Sequence, residues 1–150
     1  MKKLLIVFFM LLLLTGCKKD KQFDGPRIEL TDNYVKSEFK TTNSVVINNM
    51  KDNTYLLYTY LPYCTFKIPC QKIFQEVMDK YKLTAYSIPF DEFKKTEYYE
   101  TVTYAPSFLI ISQGKIVAYL DANSKKDYDK YQDSDDFEDW LGSYIYLEKK

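Results

Sequence analysis

Histidine is absent from the 150 residues, and cysteine occurs only three times. The missing imidazole excludes Ser-His-Asp and Cys-His nucleophilic catalysis, and with them every metal site built on histidine. The chain also lacks an excess of either charge, since 21 basic residues balance 21 acidic ones. Nucleic-acid binding needs a clustered basic face, so we expect no nucleic-acid partner. The three cysteines are therefore the first candidates for chemistry.

The N-terminus is predicted to be a targeting segment. Lys2 and Lys3 precede an unbroken apolar run of eleven residues, 4–14. As a helix this run would span only about 16 Å, against a bilayer core of roughly 30 Å. It ends in Leu14-Thr15-Gly16-Cys17, which resembles a bacterial lipobox. The resemblance implies that residues 1–16 are a lipoprotein signal peptide and that Cys17 carries the lipid, palmitate included. The alternative is an ordinary secretory signal with an incidental cysteine.

The mature chain of 134 residues is predicted to be one tethered domain. Residues 17–26 would be the lipidated N-terminus and a polar linker, and residues 27–150 the folded domain. A diacyl anchor attaches stably, so we expect the extracytoplasmic face of the cell membrane, where disulfides persist. Once Cys17 is lipidated, only two thiols remain, too few for a cysteine-only zinc site. We therefore expect no metal and no cofactor.

Cys64 and Cys70 lie at a predicted junction between a strand and a helix. Residues 54–60 are dense in aromatic and apolar side chains, as in a strand covered on both faces. Residues 71–81 place Ile73, Phe74, Val77, Met78 and Tyr81 on one face of a helix. A helix N-terminus can lower the pKa of a thiol, so this junction is a place for redox chemistry.

The spacing of the two cysteines predicts a bent segment between them. If residues 64–70 were one helix, the two α-carbons would lie roughly 9 Å apart, beyond the limit of about 7 Å for a disulfide. Pro69 disfavours a helical residue before it and suits a helix start. We therefore expect residues 65–68 to form a loop that folds Cys64 back, with Cys70 in the first turn of the helix.

The remaining patterns complete an α/β order of β-α-β-α-β-α-β-β-α, with a mixed central sheet and helices on both faces. Strands are predicted at 38–42, 55–60, 83–88, 107–112 and 115–120, the last two joined by a Gln113-Gly114 turn. Helices are predicted after Asn43-Ser44, over 71–81, over 91–102 and from a Ser134 cap. The first would bury Val45, Val46, Ile47 and Met50, and the last Phe137, Trp140, Leu141, Tyr144 and Ile145. The fifteen tyrosines are interpreted as packing residues.

Three of these features resemble the thioredoxin-like superfamily over roughly residues 38–147. They are Tyr63-Cys64 followed by Pro69-Cys70 at a helix start, Ala105-Pro106 before the penultimate strand, and the Gly114 hairpin before a terminal helix. Surface thioredoxins and bacteriocin-transport accessory lipoproteins of Gram-positive bacteria are similar. The resemblance implies that Pro106 is cis and faces the cysteines, and that Tyr63, Ala105 and Pro106 contact substrate. Tyr63 replaces the usual tryptophan.

The chain also departs from that family. The usual spacing is Cys-x-x-Cys, whereas five residues intervene here. Tyr58 stands where many thioredoxins carry a buried acid, so thiol deprotonation would be slower. By resemblance Cys64 is the nucleophile and Cys70 resolves the mixed disulfide, although a helix dipole alone would make Cys70 the more acidic thiol. We favour Cys64.

The predicted function is a membrane-tethered thiol–disulfide oxidoreductase that acts through Cys64 and Cys70. Its partners would be thiols and disulfides of secreted or surface proteins, together with a membrane-bound electron donor. The alternative is a catalytically inactive adaptor or export accessory, in which the two cysteines form a structural disulfide. So short a loop would contribute only about 2 kcal/mol of stability.

Overall fold

The computed structural model describes residues 25–31 and 36–147. The predicted signal peptide, Cys17 and most of the predicted linker lie outside the described residues. Within the described ranges, no helix combines the length and the apolar character needed to cross a bilayer.

The described residues form an alternating α/β domain. The strands are β1 (Glu38–Thr41), β2 (Thr54–Tyr60), β3 (Thr84–Pro89), β4 (Ser107–Ser112) and β5 (Lys115–Leu120). The α-helices are α1 (Ser44–Asn49), α2 (Cys70–Tyr81), α3 (Phe90–Phe93) and α4 (Ser134–Gly142), with short 3-10 turns at Glu97–Glu100 and Asp129–Tyr131. The predicted order of elements is confirmed.

The five strands make one mixed sheet in the order β1-β3-β2-β4-β5. Strand β3 pairs in parallel with both β1 and β2, while β4 pairs antiparallel with β2 and with β5. The β4–β5 hairpin turns at Gln113 and Gly114, whose φ angles of 50° and 71° match the two left-handed positions of a type I′ turn. Strand β2 therefore lies at the centre of the sheet, and its carboxyl end leads into the cysteine loop.

Side chains of β2 alternate between the two faces of the sheet, as a strand requires. Leu56 and Tyr58 face the core that contains α2 and α4, while Tyr55 and Leu57 face the core that contains α1 and α3. Helices thus cover both faces, as predicted.

Helix α2 buries the apolar face that its spacing predicts. Its buried residues are Cys70, Ile73, Phe74, Val77, Met78 and Tyr81. The Phe74 ring lies 5.0 Å from Phe108 of β4 and 4.5 Å from Phe137 of α4. Burying such a side chain stabilises the fold by about 2–3 kcal/mol. This packing fixes the first turn of α2, and with it Cys70, against the centre of the sheet.

On the other face of the sheet, the helix predicted after Asn43-Ser44 is present, but its buried residues differ from the prediction, and the helix predicted over 91–102 is wrong. Of the apolar residues in α1, Ile47 is fully buried, while Val45 is 67% and Val46 42% exposed. The helix predicted over 91–102 is instead the four-residue α3 and a separate 3-10 turn. The Thr96 side chain, bonded to the Phe93 carbonyl at 2.8 Å, lies between them.

Helix α4 begins and ends earlier than its pattern predicts. Asp133, and not Ser134, caps its N-terminus by accepting from the backbone N–H groups of Asp135 and Asp136. The helix ends at Gly142, and Ile145 lies beyond it, where it pairs with Ile28 in a parallel bridge. Phe137, Leu141 and Ile145 are buried as expected, while Trp140 and Tyr144 are half-buried.

Candidate active site

Cys70 is the first residue of α2 and is only 1% exposed. It lies in the first helical turn, as predicted from Pro69. Its sulfur meets the central strand, because Tyr58 of β2 points toward α2 and places its hydroxyl oxygen 3.4 Å from Cys70 Sγ. The β2–α2 packing therefore holds this thiol in the core.

Cys64 lies on the loop that joins β2 to α2 and is exposed. Residues 61–69 form neither helix nor strand, so the predicted bend between the cysteines is confirmed. The loop carries Cys64 Sγ to 3.9 Å from Cys70 Sγ, and both thiols are free. The exposed Cys64 and the buried Cys70 are thus close neighbours.

Burial dominates the acid–base behaviour of Cys70. It raises the pKa of this thiol to about 12, because the thiolate would lose its hydration in the core. The Tyr58 hydroxyl and the backbone N–H of Gln71 both lower this pKa, and the nearby Cys64 raises it. Burial thus opposes the effect expected of a helix N-terminus, and it is the larger of the two effects on the pKa of Cys70.

Tyr58 contacts a thiol of the candidate site, a role that the interpretation of the tyrosines as packing residues missed. It is 4% exposed and packs among Phe39, Phe74 and Phe108. Burial raises the pKa of its phenol, so the hydroxyl keeps its proton and can donate to Cys70 Sγ. One feature of the sequence could have indicated this role. Tyr58 lies six residues before Cys64, at the position where the resemblance implies a buried acid near the thiols.

The Ala105–Pro106 peptide bond is cis, as the resemblance implied. The Pro106 carbonyl accepts a hydrogen bond from the Tyr131 hydroxyl at 2.9 Å, and this hydroxyl also lies 2.8 Å from the Leu120 carbonyl. The buried Tyr131 therefore connects the residues before β4 to the end of β5.

A groove of about 330 Å³ separates the cysteine loop from Pro106. Its lining residues are uncharged and come from three segments: Thr65, Phe66, Tyr104, Ala105, Pro106, Ala122, Asn123 and Tyr128. The structure thus brings Ala105 and Pro106 to the loop that carries Cys64. It leaves Tyr63 outside this lining, with a side chain that is 85% exposed.

Residues 121–133, between β5 and α4, contribute contacts that no sequence pattern indicated. Gln132 bonds to the backbone of Ile68 within the cysteine loop, and Phe66 stacks on Tyr131 with ring centroids 4.8 Å apart. The segment has no regular hydrophobic period, so only the folded chain reveals these partners. In the part of the chain that the structure covers, no cluster of three or more cysteine, aspartate or glutamate side chains could hold a metal ion.

Comparisons with known proteins identify the fold. No family model and no curated protein matches this chain. Among solved structures, a mutant thioredoxin from Halobacterium salinarum is 17% identical, with a TM-score of 0.53, and the match covers 78% of this chain and 99% of that one. A thioredoxin from Nicotiana alata is also 17% identical, with a TM-score of 0.50 and coverage of 77% and 99%. The chain therefore has a thioredoxin-like fold.

Proposed function

We propose that this chain is a membrane-tethered thiol–disulfide oxidoreductase that exchanges disulfides with secreted or surface proteins. The observation that carries the proposal is the pair of sulfurs, 3.9 Å apart, one exposed on a loop and one buried at a helix start. The uncharged groove beside Pro106 would give an extended client chain a place against Thr65, the residue that follows Cys64. The thioredoxin-like fold supports the same class of chemistry.

The exchange would follow from the unequal exposure of the two thiols. Cys64, as thiolate, attacks one sulfur of a client disulfide; a Cys64–client bond forms and the other client sulfur leaves as a thiolate. Cys70 then loses its proton and attacks Cys64 Sγ, which forms the Cys64–Cys70 bond and releases the second client sulfur as a thiolate. The proton lost by Cys70 is balanced by the protonation of a client thiolate. Two electrons pass to the client, and the reverse sequence oxidises a client dithiol.

An adaptor with a structural disulfide is the second candidate. The observation in its favour is the environment of Cys70, whose sulfur contacts a hydroxyl and a second thiol and whose pKa burial raises to about 12. Slow ionisation of this thiol would leave the second exchange step too slow for catalysis. The two candidates therefore differ in the behaviour of Cys70.

The test uses the reduced full chain in detergent, with Cys17→Ala so that two thiols remain. It is mixed with the disulfide of thionitrobenzoate, whose released thiolate is coloured. We expect two equivalents of colour, a first from attack by Cys64 and a second from ring closure by Cys70. The Cys70→Ala variant should release only one equivalent and remain as a mixed disulfide. The Cys64→Ala variant should react slowly, because Cys70 is buried.

Equilibration with glutathione then measures the reduction potential. We expect a value between about −120 and −270 mV, the range of known exchange proteins. A single equivalent of colour from the two-thiol chain would contradict the oxidoreductase, because no Cys64–Cys70 bond would have formed. A potential below about −300 mV would also contradict it and would favour the adaptor with a structural disulfide.

The membrane tether is tested separately on Cys17. In cells, the natural chain should fractionate with membranes and incorporate labelled palmitate, whereas Cys17→Ala should do neither, because the diacyl group would be absent. Cys64→Ala is the matched control and should stay on the membrane. If Cys17→Ala partitions with membranes as the natural chain does, the proposed lipid anchor on Cys17 is contradicted.

A further inference from the structure

The segment between the two cysteines touches the body of the protein at two side chains. Phe66 and Ile68 are half-buried, while Thr65, Lys67 and Pro69 are exposed. Phe66 stacks on Tyr131 at 4.8 Å with an interplanar angle of 10°. Two residues before Cys70, the backbone of Ile68 pairs with the side chain of Gln132, the residue after Tyr131. The loop is therefore contacted by two consecutive residues outside it, Tyr131 and Gln132, and Phe66 also meets the ring of Tyr128 at a centroid distance of 5.7 Å.

Gln132 binds Ile68 through both ends of its amide. The Ile68 N–H donates to Gln132 Oε1 at 3.0 Å, and the Ile68 carbonyl accepts from Gln132 Nε2 at 2.9 Å. The remaining N–H of Nε2 donates to the Tyr131 carbonyl at 2.8 Å. A carboxamide offers one acceptor oxygen and two N–H donors. A reversed amide would face N–H against N–H and oxygen against two carbonyls, so the contacts accept one orientation.

These contacts restrain a loop that would otherwise be free. The long spacing between the cysteines leaves many conformations in which the sulfurs stand far apart, and each residue that is fixed removes backbone entropy before the reaction. When the loop is ordered before the reaction, the effective concentration of one thiol relative to the other is higher. In the loop restrained in this way, Cys64 Sγ lies 3.9 Å from Cys70 Sγ.

We propose that Gln132 is a positioning residue for ring closure: its amide holds the Ile68 backbone and thereby keeps Cys64 within reach of Cys70. This inference rests on the proposed exchange function. Gln132 acts through the loop, and its own bonds go to the backbone of Ile68 and Tyr131. It should therefore leave the first attack by Cys64 unchanged and control the second step.

The experiment compares Gln132→Ala with the natural glutamine in the reduced full chain that carries Cys17→Ala. With the disulfide of thionitrobenzoate, the first release should keep its rate, because Cys64 stays exposed. The second release should slow by about tenfold as the effective concentration of the thiols falls. The same tenfold loss in the equilibrium with glutathione raises the reduction potential by about 30 mV.

Two further variants separate positioning from general stability. Gln75→Ala is the matched control, because Gln75 lies on α2 and also bonds to a backbone carbonyl, that of Ser37, and to Asp79; both releases should be unchanged. Gln132→Glu keeps the chain length and the acceptor for the Ile68 N–H, but its carboxylate faces the carbonyls of Ile68 and Tyr131. It should slow the second release like Gln132→Ala, and it carries the test if the alanine variant fails to fold.

Two results would overturn the proposal, and they differ. If Gln132→Ala lowers the thermal unfolding temperature but keeps the rate of the second release and the potential, Gln132 is structural only. If the chain with the natural glutamine releases a single equivalent, the exchange function fails, and the positioning role fails with it.

Discussion

At the scale of single residues, the contact between Tyr58 and Cys70 decides how the buried thiol can ionise. In the described part of the chain, the sulfur of Cys70 has two side-chain hydrogen-bond partners, the Tyr58 hydroxyl and Cys64. When Cys64 is bound to a client, Tyr58 is the remaining side-chain donor for the forming thiolate. Hydrogen bonds to charged groups are worth about 1.5–3 kcal/mol, enough to matter for a thiol whose pKa burial raises to about 12.

We predict that Tyr58→Phe slows the attack of Cys70 by about tenfold, since loss of the hydroxyl raises the thiol pKa by about one unit more. Below its pKa, Cys70 reacts through a thiolate fraction that grows about tenfold per pH unit, so the rate of the second release should rise with pH in both proteins. In the plot of the second-release rate against pH, the curve of Tyr58→Phe should be displaced to higher pH by about one unit. The measurement is the two-step colour release between about pH 7 and pH 9.

Tyr55→Phe is the matched control for this prediction. Tyr55 lies on the same strand and is 2% exposed, but its hydroxyl lies 3.3 Å from that of Tyr98 on the opposite face of the sheet. It should leave the second release unchanged. Equal pH profiles for Tyr58→Phe and the natural chain would show that the hydroxyl contributes nothing to the ionisation of Cys70.

At the scale of elements, helices and strands with a complete apolar pattern were predicted well, and short ones were not. Helix α2 has three turns, and its apolar spacing specifies one buried face; β4 and β5 have the predicted bounds because the Gln113-Gly114 turn sets their register. Helix α1 is too short for its apolar residues to define a face. Ile47 joins the core that contains Leu57 and Phe93, while Val45 and Val46 are exposed.

The segment between β5 and α4 shows a second limit at this scale. Residues 121–133 have turns, a short 3-10 helix and few apolar residues, yet they contact both sides of the candidate site. Tyr131 bonds to Pro106, and Gln132 bonds to Ile68, 64 residues away in sequence. Irregular segments carry no periodicity, so contacts like these follow from the position of the chain in space.

At the scale of the whole molecule, buried acidic groups should make the reduced protein sensitive to alkali. Burial raises the pKa of Cys70 to about 12, and it raises the pKa values of Tyr55, Tyr58 and Tyr131 as well. The unfolded chain ionises cysteine near pH 8.5 and tyrosine near pH 10, so above these values it binds fewer protons than the folded chain. The contribution of these groups to the free energy of unfolding is therefore fully present below about pH 8, and it declines as the pH rises toward about 12.

We predict that Cys70→Ala reduces this alkaline loss. Between about pH 8 and pH 10.5, the reduced chain should lose about 2 kcal/mol more free energy of unfolding than the variant, since one group contributes about 1.4 kcal/mol per pH unit. Urea unfolding at the two pH values, with reductant present, measures the difference. If the free energy of unfolding of Cys70→Ala depends on pH as that of the natural chain does, the buried thiol is not the source of the alkaline loss.

The amino-acid sequence by itself determined the order of the elements, the buried face of α2, the hairpin turn and the bend that Pro69 imposes between the cysteines. Each of these follows from residues that are neighbours along the chain, where spacing and backbone preference act directly. Its resemblance to thioredoxin-like proteins also indicated the cis bond before Pro106.

The tertiary structure alone decided that the two sulfurs lie 3.9 Å apart, that burial raises the pKa of Cys70, and that Tyr58 contacts Cys70 while Gln132 contacts the cysteine loop. These properties depend on packing between residues 12 and 64 positions apart. Burial is the physical reason: a helix N-terminus would favour the thiolate of Cys70, but the sheet beneath it removes water, and the loss of hydration is the larger effect.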